Sequence, residues 1–206
     1  IAYINGYPDK AVHPQANITR AEVAAIFYRL LTDEARDRYE ASTSRFADAN
    51  KNWAAKEIAT LTSAGIIEGY EDGTFRPDAS ITRAEYAAIA SRFDKLESGT
   101  MRFSDVPSTH WAYSAIASAA EKGWINGYSD GTFRPDNNIT RAEAVTLTNA
   151  VLNRICDEEF VAEHIDEVLT FNDLPSTHWA YGAIMEAANA HDYEGADGIE
   201  HWTSLK

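Results

Sequence analysis

Ile18-Thr19-Arg20-Ala21-Glu22, Ile81-Thr82-Arg83-Ala84-Glu85 and Ile139-Thr140-Arg141-Ala142-Glu143 are one pentapeptide written three times in a chain of 206 residues. Threonine followed three residues later by glutamate is a capping box. The Thr hydroxyl accepts an orphan N–H of the first helical turn, and the Glu carboxylate reaches back to the Thr N–H. Each copy therefore predicts a helix start. Apolar residues follow at helical spacing, as Val23, Ile26, Phe27 and Leu30 after the first copy and Val145, Leu147, Val151, Leu152 and Ile155 after the third.

The surroundings of the pentad recur in step with it. Upstream stand Gly6-Tyr7, Gly69-Tyr70 and Gly127-Tyr128. Between pair and pentad, two copies read Asp-Gly-Thr-Phe-Arg-Pro-Asp, at 72–78 and 130–136, predicting a turn and then an extended segment. Further upstream a third element couples Phe-x-Asp to Trp-Ala: Phe46, Asp48 and Trp53-Ala54; Phe103, Asp105 and Trp111-Ala112; Phe171, Asp173 and Trp179-Ala180. The run His110 to Lys122 reads as a second helix with Trp111, Ala112, Ala115, Ile116 and Ala119 on one face and Gly123 as its stop.

Self-similarity at this period is the mark of a repeat architecture. We expect a mainly α fold of three helix–loop–helix repeats in a pseudo-threefold arrangement, with short extended loop segments, all in one module of residues 1–206. Residues 1–45 are the back half of the first repeat, 46–102 the second, 103–170 the third, and 171–206 the front half that completes the first. The segment 171–190 is expected to pack beside 2–31 and cover Val23, Ile26, Phe27 and Leu30. Short polar linkers are expected at Thr32–Arg45 and Asp94–Arg102, and a longer, partly helical acidic one at Asp157–Thr170. The chain opens in mid-pattern and reads as part of a longer precursor.

The formal net charge of −14 lacks the basic face a nucleic-acid partner needs. No apolar run approaches the roughly 20 residues of a membrane span. The single cysteine, Cys156, reads as a lone buried thiol on a helix rather than a nucleophile. The histidines form no His-x-x-x-His pair with a nearby acid, and no nucleophile elbow, phosphate loop or dinucleotide fingerprint is present. The acids of Tyr-Glu-Asp-Gly and Tyr-Ser-Asp-Gly are too few for a calcium loop. The expectation is a non-enzymatic module with no catalytic residue, no cofactor and no metal.

In order and register these motifs resemble the S-layer homology family, over nearly the whole chain. The resemblance implies a helical domain whose inter-repeat grooves bind an anionic secondary cell-wall polysaccharide through a terminal pyruvylated sugar. It also implies a secreted location in the cell wall or S-layer, and fusion to other domains. The alternative is a protein–protein adhesion module of a surface assembly.

Candidate ligand residues follow from the repeats. Arg20, Arg83 and Arg141 place a cation at the positive end of a helix dipole, an opposition of about 0.3–1 kcal/mol. Something anionic is expected there, either an internal carboxylate from a neighbouring repeat or a ligand held by free helical N–H groups and the guanidinium. Replacing Arg83 or Arg141 by alanine is expected to weaken binding and leave the fold intact. Gly73 and Gly131, with Asp72, Asp130, Thr74 and Thr132, form the loop; the glycines serve a positive-φ turn and let a sugar approach the backbone. Trp53, Trp111 and Trp179 are read as sitting one turn into a helix, with most of each ring in the core and an edge free for a sugar. Tyr70 and Tyr128 either line a groove or anchor the core. The first repeat carries Lys10, Ala11, Val12 and His13 where the others have Gly, Thr, Phe and Arg, so a groove using that loop is expected to be altered.

Overall fold

The computed structural model describes residues 1–93, 99–196 and 199–206. The chain forms two compact units, one of residues 17–139 and one of residues 1–16 with 140–206. Part of the expected second linker, residues 94–98, lies outside the described residues.

The unit of residues 17–139 holds α1 (Arg20–Leu30), α2 (Asp33–Tyr39), α3 (Ala55–Ser63), α4 (Arg83–Ala90), a short 3₁₀ turn (Ser91–Phe93) and α5 (Tyr113–Glu121). Thr19 and Thr82 close complete capping boxes with Glu22 and Glu85. The expected linker Thr32–Arg45 contains α2, which Thr32 caps through the N–H of Ala35. At the centre, the three pentad isoleucines join in a closed ring of backbone hydrogen bonds. Ile18 N–H donates to Ile139 C=O, Ile139 N–H to Ile81 C=O, and Ile81 N–H to Ile18 C=O, all at 3.0–3.1 Å. Their side chains are fully buried. A threefold repeat satisfies three inward-facing backbone segments this way, since each buried donor must find an acceptor.

Each pentad helix packs on the front helix that follows it in sequence. α1 lies on α3 and α4 on α5. This corrects the expected cover of α1: its apolar face, with Val23, Ile26 and Phe27 buried, is closed by α3 from the second repeat. Phe27 also meets Tyr86 and Phe93 at ring-centroid distances of 5.6 and 4.8 Å. Adjacent elements in sequence pack first because the connection between them is short.

The unit of residues 1–16 and 140–206 contains α6 (Arg141–Leu152), α7 (Glu158–Glu163), α8 (Tyr181–Ala188) and a hairpin of β1 (His191–Ala196) and β2 (Ile199–Leu205). α7 falls in the stretch expected to be partly helical. α8 packs on α6, as α3 packs on α1. The N-terminal stretch lies along the 171–188 segment. Tyr3 and Ile4 both donate to Ala187 C=O, Asn172 N–H donates to Lys10 C=O, and the buried Tyr3 hydroxyl bonds Asn149. The antiparallel hairpin, with a bulge between Asp192 and Tyr193, was not expected from the sequence. No helix among the described residues is long and apolar enough to cross a membrane.

Candidate functional site

The loop between front helix and pentad is built from three repeated contacts. The aspartate of Phe-x-Asp accepts two consecutive backbone N–H groups: Asp48 from Phe75 and Arg76, Asp105 from Phe133 and Arg134, Asp173 from Val12 and His13, each with bonds of 2.7–3.0 Å. The phenylalanine of the same motif presses on the glycine of Gly-Tyr. A Cβ at Gly69 would lie 2.3 Å from the Phe46 ring, and at Gly127 2.4 Å from Phe103. The third contact lies within the loop. Asp72 accepts from the Thr74 hydroxyl at 2.6 Å and from the Arg76 guanidinium at 2.6 Å, and Asp130, Thr132 and Arg134 repeat it. Those bonds, the hydroxyl first and the guanidinium next, hold the Asp72 and Asp130 carboxyls down at about 2. The repeated aspartates 48, 105 and 173 were visible in the motif, but a role as loop clamp was not assigned to them from sequence.

Gly73 and Gly131 have φ of +80° and +78°, the left-handed turn expected. The first repeat keeps this backbone with other residues. Lys10 (φ +62°) stands where the glycine does, and His13 (φ +50°) where Arg76 and Arg134 (both +57°) do. His13 Nε2 lies 2.9 Å from Asp9, the counterpart of the Arg76–Asp72 pair. The first loop thus keeps its shape and exchanges a guanidinium for an imidazole.

The pentad arginines are buried, with only 5%, 8% and 4% of Arg20, Arg83 and Arg141 exposed. Arg20 donates from Nε to Phe75 C=O at 2.8 Å, from Nη2 to Glu68 C=O at 2.8 Å, and from Nη1 to Glu85 at 3.0 Å. Arg83 binds the C=O of Phe133 and of Asn126, and Arg141 that of Val12 and of Asn5. The helix N–H groups expected to be free are also used. Arg20 and Ala21 donate to Ala79 and Pro77, Arg83 and Ala84 to Asn137 and Pro135, and Arg141 and Ala142 to Ala16 and Pro14. The cation at the positive helix end is thus offset by converging carbonyl oxygens. With burial this complete, substitution of Arg83 or Arg141 is a change to the core, which argues against the expectation of an intact fold.

The tyrosines stack against these arginines. The Tyr70 ring lies 4.7 Å from the Arg20 guanidinium and 4.2 Å from that of Arg76; Tyr128 likewise meets Arg83 at 5.0 Å and Arg134 at 3.9 Å. Tyr70 OH donates to Glu85 at 2.9 Å. Both tyrosines are half-buried.

The tryptophans correct the sequence reading most sharply. Trp53, Trp111 and Trp179 are 61%, 64% and 61% exposed, and they precede α3, α5 and α8 instead of lying inside them. The buried face at each helix start belongs to the neighbouring alanines, Ala54, Ala112 and Ala180. The residue before each tryptophan shapes this turn: Asn52, His110 and His178 accept the N–H of that alanine at 3.0–3.1 Å. His110 and His178 also stack on their indoles at ring-centroid distances of 5.8 and 5.7 Å.

In the unit of residues 17–139 a groove of about 550 Å³ brings several of these groups together. Arg20, Tyr70 and Trp111 line it, with Gly69, Glu85 and Arg92. Asp72, Gly73 and Thr74 stand outside this lining on the exposed loop. Trp53 lines a separate hollow with Glu40 and Lys56. Cys156 lies between α6 and α7 instead of on a helix and is half-buried; burial pushes its thiol well up, consistent with an unreactive side chain.

The family profile described as the S-layer homology domain matches residues 2–24, 45–87 and 102–145, which carry the three pentads and two of the three Phe-x-Asp and Trp-Ala elements. The chain is 38% identical, over 99% of its length, to Cell surface glycoprotein 1 of Acetivibrio thermocellus, of which the match covers 9%. It is 40% identical, over 93% of its length, to the Cellulosome-anchoring protein of the same organism, covering 43% of that protein. It is 37% identical, over 73% of its length, to an Amylopullulanase of Thermoanaerobacterium thermosulfurigenes, covering 8%. The chain thus spans less than half the length of each of these relatives. Repeated pentads, clamped loops and exposed indoles in register with the matched segments lead to one conclusion: the chain belongs to the S-layer homology domain family.

Proposed function

We propose that the chain is a non-catalytic anchoring module of the bacterial cell surface, its three repeats acting together, that binds a pyruvylated secondary cell-wall polysaccharide. The observation that carries this reading is the groove in which the exposed Trp111 indole shares a wall with Tyr70, Arg20 and Arg92. An aromatic ring left open to water suits the apolar face of a sugar. Glu71 and Asp136 on the same lining suit sugar hydroxyls, since carboxylates only accept. The carboxylate of a pyruvyl group would sit at Arg92, the exposed guanidinium of the lining, because Arg20 is taken up by two carbonyls and Glu85. Relatives named as a cellulosome-anchoring protein and a cell surface glycoprotein support the anchoring role, and the partial coverage of every relative supports fusion to further domains.

Calorimetric titration with purified wall polymer, before and after removal of its pyruvate, tests the reading. Binding that is lost on depyruvylation and on Trp111→Ala, with unchanged melting of that variant, is the expected result. Equal affinity of the Trp111→Ala variant would remove the groove from the site. Equal affinity for the depyruvylated polymer would replace the anionic sugar by a neutral one.

A further inference from the structure

The unit of residues 1–16 and 140–206 holds a buried polar cluster with no counterpart among the described residues of the other repeats. Glu186 on α8, His191 on β1 and Glu200 on β2 converge there, their side chains 0%, 1% and 9% exposed. His191 Nδ1 lies 2.9 Å from Asn189 C=O. A carbonyl can only accept, so this contact places the ring proton on Nδ1 and leaves a lone pair on Nε2. That Nε2 faces Glu186 Oε1 at 3.4 Å and Glu200 Oε2 at 3.6 Å. All three atoms lie within 4.8 Å of one another, and His191 Nε2 and Glu200 Oε2 have no hydrogen-bond partner. The Arg154 guanidinium pairs with Glu186 Oε1 at 2.5 Å and leaves the His191 and Glu200 atoms unserved.

Three buried lone-pair bearers aimed at one point repel unless a positive charge lies between them. The spacing fits an ion better than direct hydrogen bonds, which need a shorter approach. Two ligand atoms at ~2.0–2.1 Å from a tetrahedral ion stand about 3.4 Å apart. The outer contacts have the form that metal ligands use. The backbone carbonyl orients the imidazole, Trp202 Nε1–H donates to the far oxygen of Glu186 at 3.1 Å, and the Trp202 ring stacks on His191 at 3.8 Å. Arg154 offsets one of the two carboxylate charges, leaving a net charge that a divalent cation would reverse.

We propose that Glu186, His191 and Glu200 bind a first-row divalent cation of the zinc type, which clamps the C-terminal hairpin to α8. An imidazole with two carboxylates suits such an ion, and the burial of all three side chains gives it a structural setting, with the fourth position of a tetrahedral ion left to water or a second carboxylate oxygen. The rival is a proton in place of the ion, because burial holds the Glu186 carboxyl up at about 7.

The test uses the whole chain and no polymer, so it is independent of the groove. After treatment with EDTA and gel filtration, zinc chloride is titrated by calorimetry, and melting is followed with zinc and with chelator. One zinc per chain, a melting temperature raised several degrees by zinc, and at least tenfold weaker binding in Glu200→Gln and His191→Gln are expected. Glu200→Gln keeps the side-chain volume, so its fold can be checked by circular dichroism before titration. Manganese or nickel bound with the same dependence on these two residues also upholds the site. Zinc binding unchanged in both variants, or melting indifferent to zinc and chelator, overturns it.

Discussion

Arg20→Ala is the substitution whose outcome the structure determines most directly. The side chain is almost wholly buried and makes three charged-donor bonds, to Phe75 C=O, Glu68 C=O and Glu85, while its guanidinium lies between the Tyr70 and Phe75 rings at 4.7 and 4.6 Å. Removing one partner of a buried ion pair costs ~3–5 kcal/mol. Glu85 keeps Tyr70 OH and the Thr82 N–H, which holds the ion-pair share near the lower end. The buried Phe75 carbonyl, stripped of its donor, adds ~1–3 kcal/mol. A total of about 4 kcal/mol corresponds to a fall of roughly 10 °C in melting temperature for a domain of this size. Calorimetric or circular-dichroism melting of Arg20→Ala against the parent reads the effect. Arg20→Lys should fall between them, since an ammonium cannot span two carbonyls and a carboxylate in one plane. A melting temperature for Arg20→Ala within 3 °C of the parent would refute the view that the pentad arginine is chiefly a structural clamp.

The loop carboxyls supply a pH test. Asp72 and Asp130 titrate at about 2 in the folded chain, below the ordinary value near 3.9. Their contribution to the loop is therefore complete above about pH 4 and fades as pH falls through about 2; carboxyl carbon NMR should show midpoints near 2, and midpoints near 4 would contradict the loop geometry. Deletion of residues 171–206 removes Asp173, Ala187 and the cover of α6, so amide exchange should quicken at Tyr3, Ile4, Val12 and His13 and along Val145 to Asn149. In the same variant Val23 to Phe27, closed by α3, should stay protected. Unchanged exchange along α6 would show that α8 is not its cover. Gly69→Ala forces a methyl into the Phe46 ring and Thr74 C=O; overpacking of this kind costs about 1–3 kcal/mol, and a melt equal to the parent's would show that the loop gives way without strain.

Helix starts were legible in the sequence because a capping box is a local device: Thr19, Thr82 and Thr140 meet glutamates three residues on, whatever the rest of the chain does. The positive-φ turn at Gly73 and Gly131, and the repeat order itself, are local in the same sense. The fate of the pentad arginines was not. Their acceptors lie about 50 residues away for Arg20 and Arg83 and about 130 for Arg141, and no periodicity encodes which distant carbonyl meets a guanidinium. The exposure of Trp53, Trp111 and Trp179 depended on where each helix starts: the pattern sets each ring one turn inside it, and the fold sets it two residues before the first helical residue, facing solvent. Glu186, His191 and Glu200 carry no motif, being on a helix and two strands. Short-range hydrogen bonding between residues a few positions apart is written in the sequence, while burial and long-range partners are set only when the repeats fold onto one another, because a side chain's surroundings are made of residues the local pattern never mentions.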